Sequence, residues 1–285
     1  MTTYRMLTDS CCDLYEEQYR QLNITYVPLS LIIAGQEYSS FIDDASMTKF
    51  YNRLRAGETA TTSAANPEHW ASAMRPVLEA GEDLLVITFS SALSTTCQSA
   101  MIAARELEEQ FPQRKIRVVD SLCAALGQGL LVTLAAKKRD EGLSLEELTA
   151  WVEENKLHIC HWVTVDDLNH LKRGGRVSAT TAFVGTMLSI KPIIRMDDGG
   201  RLDTCGKVRG RKAAISHIAR QMAEHITDKS LAYIAHGDCM EDALELEKLV
   251  KDYGVETVKI GNVGGVIGAH TGPGVLVVFF VGDHR

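Results

Sequence analysis

This chain of 285 residues has no apolar run of membrane length. Its longest, VLVVFFV at 275–281, is the length of a strand, well short of the eighteen or more residues that cross a bilayer. The opening stretch MTTYRMLTDSCCDLYEEQ shows no charged lead followed by an apolar block, so no signal peptide is expected. The seven cysteines are odd in number and follow no regular framework. That favours free thiols in a reducing, cytoplasmic setting. Neither C-x-x-C nor H-x-x-x-H occurs; Cys11 and Cys12 are adjacent and diverge, and Cys160 and His161 point to opposite faces of a predicted strand. No metal site is expected. Basic charge is in deficit, with 30 Lys and Arg against 37 Asp and Glu and a net charge of −7. A surface for nucleic-acid phosphates needs the reverse balance.

Nucleotide motifs are missing as well. A phosphate loop requires G-x-x-x-x-G-K-[ST]. The nearest stretch, GRLDTCGKV at 200–208, has five residues between its glycines, Val after its lysine, and a predicted hairpin as its setting. GNVGGVIG at 261–268 is not G-x-G-x-x-G, so these glycines read as tight turns and close packing. ITFSSALS lacks the G-x-S-x-G spacing of a hydrolase elbow.

What is present is ordinary globular composition, 45% hydrophobic and 24% charged, at a length that suggests two domains. Strand and helix patterns alternate. TYRMLT (3–8) reads as a strand and 13–22 as a helix with Asp9 or Ser10 capping its entry. ITYVPLSLII (24–33) is β-rich and AGQE turns it back onto YSS. Helices follow at 46–57, capped by Ser46 and stopped by Gly57, and at 66–81, capped by Asn66 with Pro67 at its first position. A buried strand at 83–90, a helix at 94–111, a strand at 115–121 and a helix at 122–142 imply a parallel sheet with right-handed crossovers. A charged helix at 143–158 leads into a second α/β region. It has strands at 160–165, 231–237 and 255–261, helices at 166–175, 178–189, 211–226 and 240–254, and a hairpin at 191–208. A glycine turn and the final strand close the chain. The expected division is 1–155 and 156–285.

Three features carry candidate chemistry. TATTSAAN (59–66) and SSALSTT (90–96) place four and five hydroxyls before helices. One or two would cap; the surplus, at the carboxyl end of a strand and the start of a helix, suits an anionic ligand equally well. His270 stands in GAHTGPG, between close-packing glycines and a strand with no polar side chain, and no acid lies near in sequence to orient it as a base. LKRGGRVS (171–178) and KVRGRKAA (207–214) hold three and four basic groups in an acidic chain. They read as a solvated face or, since arginine binds phosphate and carboxylate bidentately, as a contact surface.

The segments TDSCCDL, TSAANP (62–67), ITFSSALSTTCQSA (87–100), VDSLCAALGQGLLV (119–132), LNHLKRGGRVSATTAFVGTMLSIKPII (168–194), GKVRGRKAA (206–214) and GAHTGPG (268–274) occur in order over nearly the whole chain. Together they resemble the DegV family. The resemblance implies a two-domain α/β architecture with a long-chain fatty acid buried between the domains. It implies no cofactor and no catalysis by this chain alone. Characterised members are fatty-acid-binding subunits of a bacterial fatty acid kinase. They present the acyl carboxylate to a separate ATP-dependent kinase subunit, whose acyl phosphate feeds phospholipid synthesis. A transient membrane contact stays open. The family's carboxylate contacts fall on Thr62, Ser94 and His270. Its partner or phosphate contacts fall on Arg209 or Arg211, with Arg173 and Arg176 as further candidates. Two departures from the family pattern, Ala64-Ala65 and Ser94-Thr95-Thr96-Cys97, lie beside the proposed contacts.

Physical chemistry is consistent with that assignment. Burying about fifteen methylenes yields roughly 12 kcal/mol gross, from which ordering takes back several. The carboxylate is the expensive part unless its oxygens are satisfied. Two hydroxyls and an imidazole are expected to satisfy it without a cation. A carrier or sensor with no kinase, and a Ser94/His270 esterase, remain as alternatives.

Overall fold

Pro28 divides the first β-rich stretch into two strands that enter different sheets, since proline cannot donate to a ladder. The computed structural model describes residues 4–39, 43–177 and 189–285. Its strands in chain order are β1 (Tyr4–Asp9), β2 (Ile24–Val27), β3 (Ser30–Ile33), β4 (Gln36–Ser39), β5 (Ala60–Ser63), β6 (Asp83–Thr88), β7 (Ile116–Asp120), β8 (Ile159–Thr164), β9 (Ile190–Met196), β10 (Leu202–Arg209), β11 (Ile226–His236), β12 (Thr257–Asn262) and β13 (Leu276–Gly282). The α-helices among the described residues are α1 (Glu16–Gln21), α2 (Asp44–Arg55), α3 (Pro67–Glu79), α4 (Thr96–Gln110), α5 (Ala125–Asp140), α6 (Leu145–Asn155), α7 (Asn169–Arg173), α8 (Arg211–His225), α9 (Met240–Asp252) and α10 (Gly265–Thr271). None of them is long and apolar enough to cross a membrane.

Three sheets result. One is parallel throughout, in the order β2-β1-β6-β7. The second is mixed, β10-β9-β8-β13-β11-β12, and the third is a small antiparallel sheet, β4-β3-β5. β13 lies in the middle of the mixed sheet, between β8 and β11. This explains its unbroken apolar sequence. Leu276, Val278 and Phe280 pack with the buried faces of α8 and α9, while Val277 and Phe279 face the other way into the main core. A strand buried on both faces shows no alternation.

Several expectations need correction. The first helix begins at Glu16, not residue 13, because Ser10–Cys12 form a 3-10 turn capped by Asp9 and Asp13 adopts the left-handed region (φ 52°). Helix α2 is capped by Asp43, whose carboxylate accepts the Ser46 N–H; Ser46 is an early helical residue and not the cap. The hydroxyl-rich 59–66 stretch holds strand β5, paired with β3. The glycine turn before the last strand is in part a helix, α10, with His270 in its last turn and the left-handed Gly272 (φ 76°) behind it. The predicted helix over 178–189 falls almost wholly outside the described residues. By contrast, Asn66 does cap α3, accepting the His69 N–H, with Pro67 in first place.

Candidate functional site

The carboxyl ends of the parallel sheet face one side of β8 and β13. Between them lies a cavity of about 540 Å³, within the range of small-molecule sites. Thr62, Ser94 and His270 all line it. They come from β5, the β6–α4 loop and α10, and no two of them are neighbours in sequence.

Each is positioned by local structure. The β6–α4 loop is tied down by carboxylates at strand ends, Asp9 buried and Asp120 half-buried. Asp9 accepts the Phe89 N–H at 2.7 Å, and Asp120 accepts those of Ser91 and Leu122 at 3.1 and 3.0 Å. Burial pushes Asp9 up to about 6 in spite of those bonds. In the same loop Ser94 Oγ accepts the Thr96 N–H at 3.2 Å, which leaves its own O–H free to donate. Thr62 Oγ1 lies 2.8 Å from His270 Nε2. The far side of the imidazole abuts Gly174, where a Cβ would stand 2.3 Å from Nδ1; only glycine leaves the ring its place. Burial, reinforced by the positive charge of Arg176, pushes His270 down to about 4. It is therefore neutral at pH 7.

Arg176 lines the same cavity. Sequence reasoning groups it with the partner contacts and expects the ligand to be held without a cation. In the structure, Gly175 (φ 67°) turns the chain back so that Arg176 donates to the Leu93 and Gly174 carbonyls, beside Ser94. The mouth therefore holds the Thr62 and Ser94 hydroxyls, a neutral imidazole and one guanidinium, and Ser63, Ser91, Thr95 and Thr271 also line the cavity. The other basic candidates lie elsewhere. Arg173 is exposed and bonded to His170 at 3.0 Å. Arg209 is exposed at the end of β10. Arg211 is engaged by Asp242 at 2.9 Å and by Asp166 at 3.7 Å.

Away from the mouth the wall is apolar, with Val163, Met196, Val277 and Phe279 among its residues, and it includes one further histidine, His161. Its ring is fully enclosed. Nδ1–H donates to the Ile159 carbonyl at 2.9 Å and Nε2 accepts the Ala124 N–H at 3.2 Å. Burial, with the charge of Arg285, pushes it down to about 3. Sequence reasoning weighs His161 only as a metal ligand and misses its place here; nothing in the local sequence marks it. The Ser94 and His270 side chains share no hydrogen bond, and His270 is instead engaged by Thr62. Remote from the cavity, His225, Asp283 and His284 bring three donor atoms within 4.8 Å of one another, a grouping invisible in their spacing.

The fold and cavity define an α/β protein with a largely apolar chamber and a hydrogen-bonding, partly cationic mouth, the form of a binding site for an amphipathic small molecule. The model of the DegV family of uncharacterised proteins matches residues 3–283, and the chain belongs to that family. A DegV domain-containing protein of Clostridium perfringens is 42% identical over 289 residues, covering 100% of this chain and 99% of the relative. Among solved structures, a DegV family protein from Thermus thermophilus described by its fatty acid binding is 32% identical, with coverage of 98% and 99% and a TM-score of 0.87. The Bacillus subtilis DegV, described as a fatty acid binding protein, is 29% identical, with coverage of 98% and 99% and a TM-score of 0.83. A stearic acid-binding protein from Eubacterium ventriosum is 25% identical, with coverage of 97% and 98% and a TM-score of 0.85.

Proposed function

We propose that this chain binds one long-chain fatty acid in the 540 Å³ cavity, with the carboxylate at the mouth among Thr62, Ser94 and His270, where residues 1–155 meet residues 156–285. The observation that carries the reading is the Thr62–His270 hydrogen bond at the polar end of a largely apolar chamber. An apolar chamber rewards a methylene chain, and a buried carboxylate needs donors for its oxygens. Ser94 O–H, the Thr62–His270 pair and the Arg176 guanidinium supply them. The fatty-acid-binding descriptions of the Thermus and Bacillus proteins support the same ligand class.

The destination follows from the family resemblance. The bound acid is presented to a separate ATP-dependent kinase subunit, which phosphorylates the carboxylate to an acyl phosphate for phospholipid synthesis. The chain itself is not the catalyst. Exposed Arg209 is the foremost candidate for the partner contact, since Arg211 is already paired within the protein.

Organic extraction of the purified protein followed by mass spectrometry tests the first part. A stoichiometric fatty acid supports it, and an empty protein that binds no fatty acid in titration refutes it. The second part is tested by adding cognate kinase subunit and labelled ATP. Labelled acyl phosphate is expected, reduced in Arg209→Glu with lipid retained. Binding without turnover by any kinase of the source organism leaves a lipid carrier. Ester hydrolysis is not expected, because Ser94 lacks a histidine partner.

A further inference from the structure

One face of β13 lines the cavity. Residues 275, 277 and 279 line it in succession, the period-two signature of one strand face. Val275 follows His270 and Thr271 by a few residues in the chain, and all three line the cavity, so β13 leads away from the mouth. Its antiparallel partner β8 runs the opposite way, with Val163 opposite Val277 and His161 opposite Phe279. The next pair in the register, Ile159 and Val281, packs in the main core and does not line the cavity. Along β8 and β13 the lining thus ends at the His161–Phe279 layer, where the two rings meet edge to face at 5.1 Å and 82°.

Building on the fatty-acid reading above, we infer that the His161–Phe279 pair is the floor against which the methyl end of the acyl chain rests, and that it sets the acyl length this protein accepts. From Val275 to Phe279 the strand advances about 14 Å. A carbon–carbon bond of ~1.5 Å at tetrahedral angle advances an extended chain by about 1.25 Å, so this stretch alone houses about eleven methylenes. The floor is rigid for a stated reason. Both His161 nitrogens are used by backbone groups, Ile159 O and Ala124 N–H, so the ring is held in place and offers no hydrogen bond to a ligand. Gly127 of α5 presses on it from behind, with a Cβ there falling 2.2 Å from Nε2. His161 therefore acts as a wall, although its residue type suggests chemistry.

Opposite-handed variants test this. Phe279→Leu and His161→Ala deepen the floor; Gly127→Ala forces the imidazole toward the cavity and raises it. Dissociation constants are measured for a series of saturated acids from twelve to twenty carbons. Each methylene newly housed favours longer over shorter acids by about fourfold. The deepened variants are expected to shift the preferred length upward by one to three carbons, with Gly127→Ala shifting it downward. His270→Ala, at the other end, weakens all lengths alike. Phe279→Leu removes no hydrogen-bonding group, so it stays informative if His161→Ala does not fold. Unchanged length ratios in folded Phe279→Leu, or a shift toward shorter acids, overturn the floor while leaving fatty-acid binding intact. Failure of the wild-type protein to bind any member of the series overturns the functional reading and this inference with it.

Discussion

His161 and His270 line the same cavity and both stay neutral at pH 7, yet their surroundings give them different work. His161 has each nitrogen bonded to a backbone group that cannot move without unfolding a strand or a helix start. His270 has Nε2 on a side-chain hydroxyl and Nδ1 beside the bare backbone of Gly174. A hydroxyl can donate or accept and can rotate, so the Thr62–His270 pair can reorganise around a carboxylate. The backbone pair at His161 cannot. A histidine in a ligand cavity is therefore read by what already satisfies it, and the unsaturated one belongs to the mouth.

Variants at these two histidines test the contrast. The largest effect is expected from His270→Ala, with fatty-acid affinity falling about tenfold to a hundredfold, the range for a hydrogen bond to a charged group. Displacement of a fluorescent fatty acid measures it, and Gly174→Ala should approach the same loss by evicting the ring. The contrast fails if His161→Ala loses as much affinity at every chain length. Next, His161→Phe leaves the Ala124 N–H buried and unpaired, at a cost of about 1–3 kcal/mol in urea unfolding. His270→Ala, leaving a rotatable hydroxyl, should cost less than half as much.

The pH dependence is smaller and has a definite sign. His270 is held at about 4 in the folded chain against about 6.5 unfolded. Between those values the unfolded chain binds more protons, so stability falls as pH drops through that window. His161, held at about 3, acts in the same direction. Asp9, raised to about 6, acts oppositely, since its native-state charge costs stability as pH rises from about 4 to 6. Comparing wild type with His270→Asn at pH 7 and pH 5 isolates one histidine; wild type should lose about 1 kcal/mol more on acidification. The smallest expected change is in Arg176→Gln. Removing the cation lets His270 titrate above its present value of about 4, visible by NMR titration, and weakens fatty-acid binding severalfold.

Particular residues show how far the sequence could be read. Asn66-Pro67 announces its helix because cap and first turn are local, settled within four residues. Ser46 misleads for the same local reason: Asp43, three residues earlier, starts the helix sooner and accepts the N–H of Ser46 itself. The hydroxyls of 59–66 conceal β5 because that strand exists only by pairing with β3, some thirty residues away. Thr62, Ser94 and His270 enter the candidate list through family resemblance and hydroxyl density, whereas their meeting point does not. Thr62 and His270 are 208 residues apart and touch only because α10 packs across the small sheet.

The order of residues alone set the alternating α/β plan, the absence of a membrane-length apolar run, and the residue types fit to hold an acidic head beside an apolar tail. Composition, caps and periodicity act over a few residues, so they survive being read in one dimension. Tertiary structure alone decided that Arg176 turns into the mouth, that the glycine-rich approach to β13 coils into a helix, and that His161 is sealed into the floor. Each of these depends on backbone groups brought close from distant parts of the chain, and the free energy of such a contact has no signature in the local order of residues.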